Sequence, residues 1–203
     1  MSAADLPDAE HYFTESPGAP ARQRYVEFEI AGHRLRLLAA SGVFSAERLD
    51  PGTAVLLKKA PLPTTAGDYL DLGTGYGPIA CALATAAPGA RIYAVDVNTR
   101  ALDLVRQNAE QLRLSITAAT PDEVPDEVNF DQIWSNPPIR IGKAALHQLL
   151  ERWLPRLKPG GVAWLVVARN LGGDSLARWL SEQGWTVDRR ASQKGYRVLA
   201  VRK

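Results

Sequence analysis

Hydrophobic and polar positions alternate twice near the start of the chain, in Arg24-Tyr-Val-Glu-Phe-Glu-Ile30 and in His33-Arg-Leu-Arg-Leu-Leu38, with Ala31-Gly32 between them. A period of two on either side of a Gly-containing dipeptide predicts a β-hairpin over about 24–38. Asp50-Pro51 then reads as an N-cap followed by a first helical residue, opening a helix through about Lys59. A Pro/Thr-rich link, Ala60 to Ala66, comes next. From Asp68 onward the pattern changes: short apolar runs, ending at Leu72, Val95, Trp134 and Ala168, alternate with helical stretches such as Pro78-Ile-Ala-Cys-Ala-Leu-Ala84. Strands that alternate with helices predict an α/β architecture with a parallel sheet covered on both faces.

Composition narrows the class. A chain of 203 residues with 46% apolar content suits one α/β domain, expected over 11–203 with the cofactor-binding core from about residue 50. The acidic first ten residues lack apolar periodicity and are expected to fray. No apolar run approaches the roughly 18 residues of a membrane span, and the N-terminus has no basic start with an apolar core. Cys81 is the single cysteine, which excludes an internal disulfide and a cysteine metal cluster, and it is expected to be a small core residue in a reducing cytoplasm. His11, His33 and His147 show no metal-ligand spacing, so no metal is expected. The five tryptophans fall mostly in strands or on helix faces and are expected in the core rather than as base-stacking platforms.

Two stretches carry the chemistry. Asp71-Leu-Gly-Thr-Gly-Tyr-Gly77 sits between a strand and a small-residue helix, and about 25 residues on a second strand ends in Asp96. Glycines let the backbone approach a ligand, and a carboxylate at the next strand end can accept from both ribose hydroxyls. A dinucleotide pyrophosphate favours an uncharged loop of G-x-G-x-x-G spacing. Here the spacing is G-x-G-x-G, and Asp71 just ahead would repel a pyrophosphate but suits a sulfonium and an α-ammonium group. The reading is S-adenosylmethionine rather than NAD. The second stretch, Ser135-Asn-Pro-Pro138, leaves the carboxyl end of a buried strand. The Asn136 amide oxygen and the Pro137 carbonyl can each accept one N–H of a planar amine, favouring a pyramidal nitrogen with its lone pair aimed at the methyl group. Pro137 and Pro138 restrict the backbone that holds these acceptors. Alone, either stretch is also an ordinary turn; together they indicate an enzyme.

In order along the chain, His11-Tyr-Phe-Thr-Glu-Ser-Pro17, Ser41-Gly-Val-Phe-Ser45, Leu49-Asp-Pro-Gly-Thr53, Asp71-Leu-Gly-Thr-Gly-Tyr-Gly-Pro78, Val95-Asp-Val-Asn98 and Ser135-Asn-Pro-Pro-Ile-Arg-Ile-Gly-Lys143 resemble the class I methyltransferases of the ribosomal RNA guanine-N2 type, the RsmC family. The resemblance spans most of residues 10–203. It implies a Rossmann-like, mostly parallel seven-stranded sheet, closed by an antiparallel pair near Thr186 and from Tyr196 to Val201. It implies that Gly73, Gly75 and Gly77, with Asp71, Thr74 and Tyr76, line the methionine part of S-adenosylmethionine. Asp96 would take the ribose beside Val97 and Asn98, Phe44 would form part of the cofactor pocket, and Asn136 with Pro137 would take the target amine. Asn98 also suits a helix N-cap.

The chain departs from that family in three places. Better known members have two tandem domains, whereas this chain has the length of one. Many amino-methyltransferases follow N-P-P with an aromatic that stacks on the base, and here Ile139 stands instead. Where relatives carry a residue for the adenine amine, Thr120 or Asp122 is available.

Residues 1–150 hold 13 Lys/Arg against 18 Asp/Glu, while 151–203 hold 11 against 4. Arg189, Arg190, Lys194, Arg197, Arg202 and Lys203, with Arg140 and Lys143 after the N-P-P turn, form either a phosphate-facing surface or a solvated face. The expected function is methylation of an exocyclic amine, guanine N2 of small-subunit (16S) ribosomal RNA, in the cytoplasm. The alternatives are adenine N6, a protein glutamine amide, or a non-catalytic RNA-binding assembly factor.

Overall fold

The computed structural model describes residues 22–43, 45, 47–138 and 141–203. The acidic tail, the motif at residues 11–17, Phe44, Ile139 and Arg140 lie outside them.

The predicted hairpin is present as β1 (Gln23–Ile30) and β2 (His33–Ala40), paired antiparallel from Ile30 with His33 to Gln23 with Ala40. Ala31 and Gly32 turn it with positive φ, 50° and 79°, as a tight two-residue hairpin loop requires. Helix α1 (Pro51–Lys59) starts where Asp50-Pro51 puts it, with the Asp50 carboxylate accepting from Thr53 N–H at 2.9 Å.

The remaining strands are β3 (Asp68–Leu72), β4 (Arg91–Val95), β5 (Ile116–Ala119), β6 (Phe130–Ser135), β7 (Leu157–Ala168), β8 (Thr186–Gln193) and β9 (Tyr196–Arg202). They form one seven-stranded sheet in the order β5-β4-β3-β6-β7-β9-β8. Pairs from β5 to β7 are parallel, and β9 runs antiparallel to both β7 and β8. Helices α2 (Pro78–Ala86), α3 (Thr99–Leu112), α4 (Lys143–Trp153) and α5 (Gly173–Glu182) connect them. The architecture is the expected α/β fold with an N-terminal hairpin.

Alternation along the strands sorts the core into two layers. Tyr69, Ala94, Trp134, Trp164 and Val166 pack with Val55, Leu56, Ile79 and Leu83 of α1 and α2. Leu70, Leu72, Ile133, Leu165 and Val167 face Leu146, Leu150, Leu176 and Leu180 of α4 and α5. The hairpin buries Val26, Leu35 and Leu37 against Tyr76, Cys81, Ala101 and Leu104. Asn108 of α3, fully buried, fastens it there: its amide accepts from Leu38 N–H at 2.7 Å and donates to the carbonyls of Leu38 and Tyr76, each at 2.9 Å. A buried amide left without these partners would be costly, so the hairpin and the glycine loop are tied to one side chain.

Strand order reverses between β3 and β6, so the loops leaving their carboxyl ends diverge to opposite faces. Open α/β sheets bind ligands in the crevice this creates. Both chemistry-bearing stretches emerge there.

Candidate functional site

Asp71 pairs with Trp134 across β3 and β6, which brings the glycine loop and the N-P-P turn out side by side. The Ser135 hydroxyl donates to the Leu72 carbonyl at 2.7 Å, and a Cβ on Gly73 would lie 3.8 Å from Pro138 Cδ. Gly73 and Thr74 N–H both donate to the Val95 carbonyl, folding the loop over the end of β4. Gly77 then enters α2 with φ +89°, and a Cβ there would come 3.1 Å from Val105 Cγ2. A left-handed residue pressed against a valine must be glycine.

Asp71 lies beneath this loop with no exposed surface. Its Oδ2 accepts from the Thr74 hydroxyl at 2.6 Å and Ala80 N–H at 2.9 Å, while Oδ1 is buried without a partner. Burial, helped slightly by Asp96, pushes its carboxyl up to about 7. The folded value is raised above that of the unfolded chain, so its contribution to stability is fully present below about pH 4 and is lost as pH rises through about 7. Between pH 5 and pH 8 the wild-type protein should therefore lose stability relative to Asp71→Asn, by on the order of 1–3 kcal/mol. Urea unfolding midpoints across that range check this, and parallel pH profiles would refute it.

Asp96 stands at the end of β4, half-buried. Its Oδ2 accepts from Gly75 N–H at 2.9 Å and its Oδ1 from Asn98 N–H at 3.0 Å. Burial raises its carboxyl above the usual range, against the pull of these N–H donors. Val97 beside it is 44% exposed, an open apolar surface at the ligand edge. Asn98 proves to be the N-cap of α3, accepting from Arg100 and Ala101 N–H, and its amide also donates to the Gly42 carbonyl at 3.2 Å. The Thr120 hydroxyl and N–H are both given to Glu123, and Asp122 pairs with Arg152.

Asn136 is held by two residues outside the two sequence stretches. Its Nδ2 donates to Asp50 Oδ1 at 2.7 Å and to Thr53 Oγ1 at 3.1 Å, and no described residue donates to its Oδ1. A cleft runs past these groups, lined by Ser45, Asp50, Thr53, Gly73, Thr74, Gly75, Tyr76, Pro78, Ile79 and Asn136. Tyr76 presents a buried hydroxyl with no partner, and burial raises it further above its already high value. The structure thus unites Asn136 with Gly73 to Tyr76 in one cleft and sets Pro138 against Gly73. Asp50 and Thr53 were legible as a helix start and as part of a family-like motif, but their contact with Asn136 was not, because it lies 86 and 83 residues away.

Much of the basic C-terminal set is already paired. Arg189 and Arg197 both reach Asp174, and Arg202 reaches Asp188. Lys143, exposed at the start of α4, remains beside the N-P-P turn. Among the described residues no cluster of His, Cys, Asp or Glu could hold a metal, and no helix is long and apolar enough to cross a membrane.

Comparison with known proteins agrees with the fold and the family. The family model of the methyltransferase small domain matches residues 34–200. A Bacillus subtilis (strain 168) protein, uncharacterized protein YbxB, is 32% identical over 199 residues, covering 96% of this chain and 99% of its own length. Ribosomal RNA small subunit methyltransferase C of Shewanella loihica is 33% identical over 168 residues, covering 80% of this chain and 47% of that protein. The solved structure of the T. thermophilus 16S rRNA N2 G1207 methyltransferase RsmC, in complex with AdoMet and guanosine, is similar at TM-score 0.77 and 27% identity, over 94% of this chain and 53% of that one. The chain spans about half the length of those two ribosomal RNA methyltransferases. The Rossmann-like methyltransferase fold and S-adenosylmethionine as the family's methyl donor stand as expected. With a match over most of its length and a glycine loop set against N-P-P at the sheet's switch point, the chain belongs to the methyltransferase small domain family.

Proposed function

We propose that this protein methylates an exocyclic amine with S-adenosylmethionine as donor, and that the amine is N2 of a guanine in small-subunit ribosomal RNA. The observation that carries the amine chemistry is the Asn136 amide: its N–H groups are taken by Asp50 and Thr53, which leaves its oxygen as the end that can meet an N–H donor. Similarity to the T. thermophilus enzyme, solved with AdoMet and guanosine, supports guanine N2 as the acceptor.

The residues present fit the cofactor. Gly73, Gly75 and Gly77 all take positive φ, Gly73 and Gly75 line the cleft, and Tyr76 OH is a buried polar atom without a partner. Asp96 keeps lone pairs beyond those given to Gly75 and Asn98 for a ribose diol, and Val97 offers apolar contact next to it. Asp71, buried under the loop, favours positive charge above it. When bound, S-adenosylmethionine supplies an electrophilic methyl on a sulfonium. The protein's task is orientation: Asn136 Oδ1 and the Pro137 carbonyl each accept a hydrogen bond from one amine N–H, the lone pair freed from the base's π system points along the transfer axis, and the nitrogen gives up one proton to water once it bears the methyl. The target base must be unpaired or flipped to reach this cleft. Lys143, and Arg140 three residues before it in the sequence, would meet the flanking phosphates.

The test is to incubate the protein with labelled S-adenosylmethionine and, in parallel, small ribosomal subunits, ribosomal RNA, DNA and a protein extract, and to identify the product by mass spectrometry. N2-methylguanosine in small-subunit RNA is expected. N6-methyladenine or methylglutamine would retain the mechanism and replace the substrate, and RNA binding without transfer would make this an assembly factor.

A further inference from the structure

Resting on that reading of Asn136, we infer that Asp50 is a positioning residue for the methyl-transfer reaction: it sets which end of the Asn136 amide faces the target amine and strengthens that end as an acceptor. A side-chain amide is nearly symmetrical in shape but opposite in chemistry at its two ends, and an amine approaching its NH2 end would meet donor against donor. Asn136 Nδ2 has two hydrogens, and both find an acceptor, Asp50 Oδ1 at 2.7 Å and Thr53 Oγ1 at 3.1 Å. Turning the amide over would bring its oxygen to the carboxylate at that same distance, so the wrong orientation is opposed by repulsion as well as by lost hydrogen bonds.

Asp50 is itself held. The same Oδ1 accepts from Thr53 N–H at 2.9 Å as the cap of α1, and Pro51 follows it. Gly52 leaves no slack: a Cβ there would come 2.9 Å from both Asp50 Oδ1 and Tyr196 Cε1, so the Tyr196 ring of β9 backs the turn that carries the carboxylate. A negative charge on the N–H side also draws the amide toward its polarised form, with more charge on Oδ1. The helix cap, the carboxylate and the catalytic amide therefore form one chain of hydrogen bonds ending in the cleft.

Two variants separate this role from capping. Serine caps a helix about as well as aspartate but is too short to bridge to Asn136, whereas asparagine can cap and also accept from Nδ2 without the charge. Asp50→Ser should keep the wild-type unfolding midpoint within a few degrees and bind S-adenosylmethionine within about threefold, while single-turnover methyl transfer at saturating cofactor falls about 10–100-fold. Asp50→Asn should fall between the two. An independent readout needs no substrate: in ¹⁵N spectra the Asn136 Nδ2 resonances, assigned by their loss in Asn136→Ala, should shift upfield in Asp50→Ser with the rest of the spectrum retained. Unmoved Asn136 resonances would overturn the clamp even if no substrate is methylated. Shifted resonances with no amine methylated by the wild type would leave the clamp standing and remove the reading of the reaction. A rate loss cured by raising S-adenosylmethionine would also overturn the proposal, assigning Asp50 to cofactor binding.

Discussion

Asn136→Ala should lower single-turnover methyl transfer by at least ~10²–10³-fold, equivalent to about 2.7–4 kcal/mol of transition-state stabilisation, while leaving the dissociation constant for S-adenosylmethionine within a fewfold of wild type. The argument is one of differential binding. A base or amide nitrogen becomes nucleophilic only as it pyramidalises, so an acceptor that favours the pyramidal form acts more strongly in the transition state than in the ground state. On the proposed reading Asn136 supplies such an acceptor, and its mount is rigid: β6 ends in the buried Ser135, whose hydroxyl is bonded to Leu72, and Pro137 and Pro138 follow. Removing the amide leaves Asp50 and Thr53 still capping α1, so the fold should survive. Quenched-flow transfer and isothermal titration with the cofactor separate the two quantities. Turnover at the wild-type rate would sink the mechanism, and loss of cofactor affinity equal to the loss of rate would move Asn136 from the amine to the donor.

Asp96→Ala should act in the opposite order, weakening S-adenosylmethionine binding by about 10–100-fold, with little effect on the transfer rate once the cofactor is saturating. Two hydrogen bonds from a ribose diol to a half-buried carboxylate are charge-assisted, each worth about 1.5–3 kcal/mol less the cost of ordering. The same carboxylate accepts from Gly75 and Asn98 N–H, so its removal also loosens the glycine loop and the entry to α3. Asp96→Asn retains an acceptor for one of these donors and should lose less. Titration calorimetry with S-adenosylmethionine measures both variants. Unchanged affinity in Asp96→Ala would exclude the ribose role, and lost transfer at saturating cofactor would show that Asp96 acts on the reaction itself.

Several elements could be read before any coordinates because their causes are local. The hairpin follows from period-two alternation around Ala31-Gly32, and the start of α1 from Asp50-Pro51, whose cap forms as expected. The glycine loop and Asp96 could be placed because a strand, a tight turn and a helix have a fixed geometry, which puts the end of the next strand beside the loop. Cys81 was legible as a core residue from its alanine neighbours, and it is fully buried. The basic C-terminal set was less informative than its count. Arg189 and Arg197 share Asp174 and Arg202 reaches Asp188, and the packing of α5 and the pairing of β8 with β9 decide which charges meet.

The chain's own pattern determined the α/β class and the strand ends that carry Asp71, Asp96 and Asn136, because hydrophobic periodicity and turn chemistry act over a few residues. Tertiary structure alone decided that the cap of α1 accepts from the Asn136 amide, that Asn108 ties the hairpin to the glycine loop, and that Asp71 lies beneath the loop. Each of these depends on a hydrogen bond between distant segments or on exclusion from water. Neither is encoded in any short stretch of sequence; both exist only once the sheet has set its strand order.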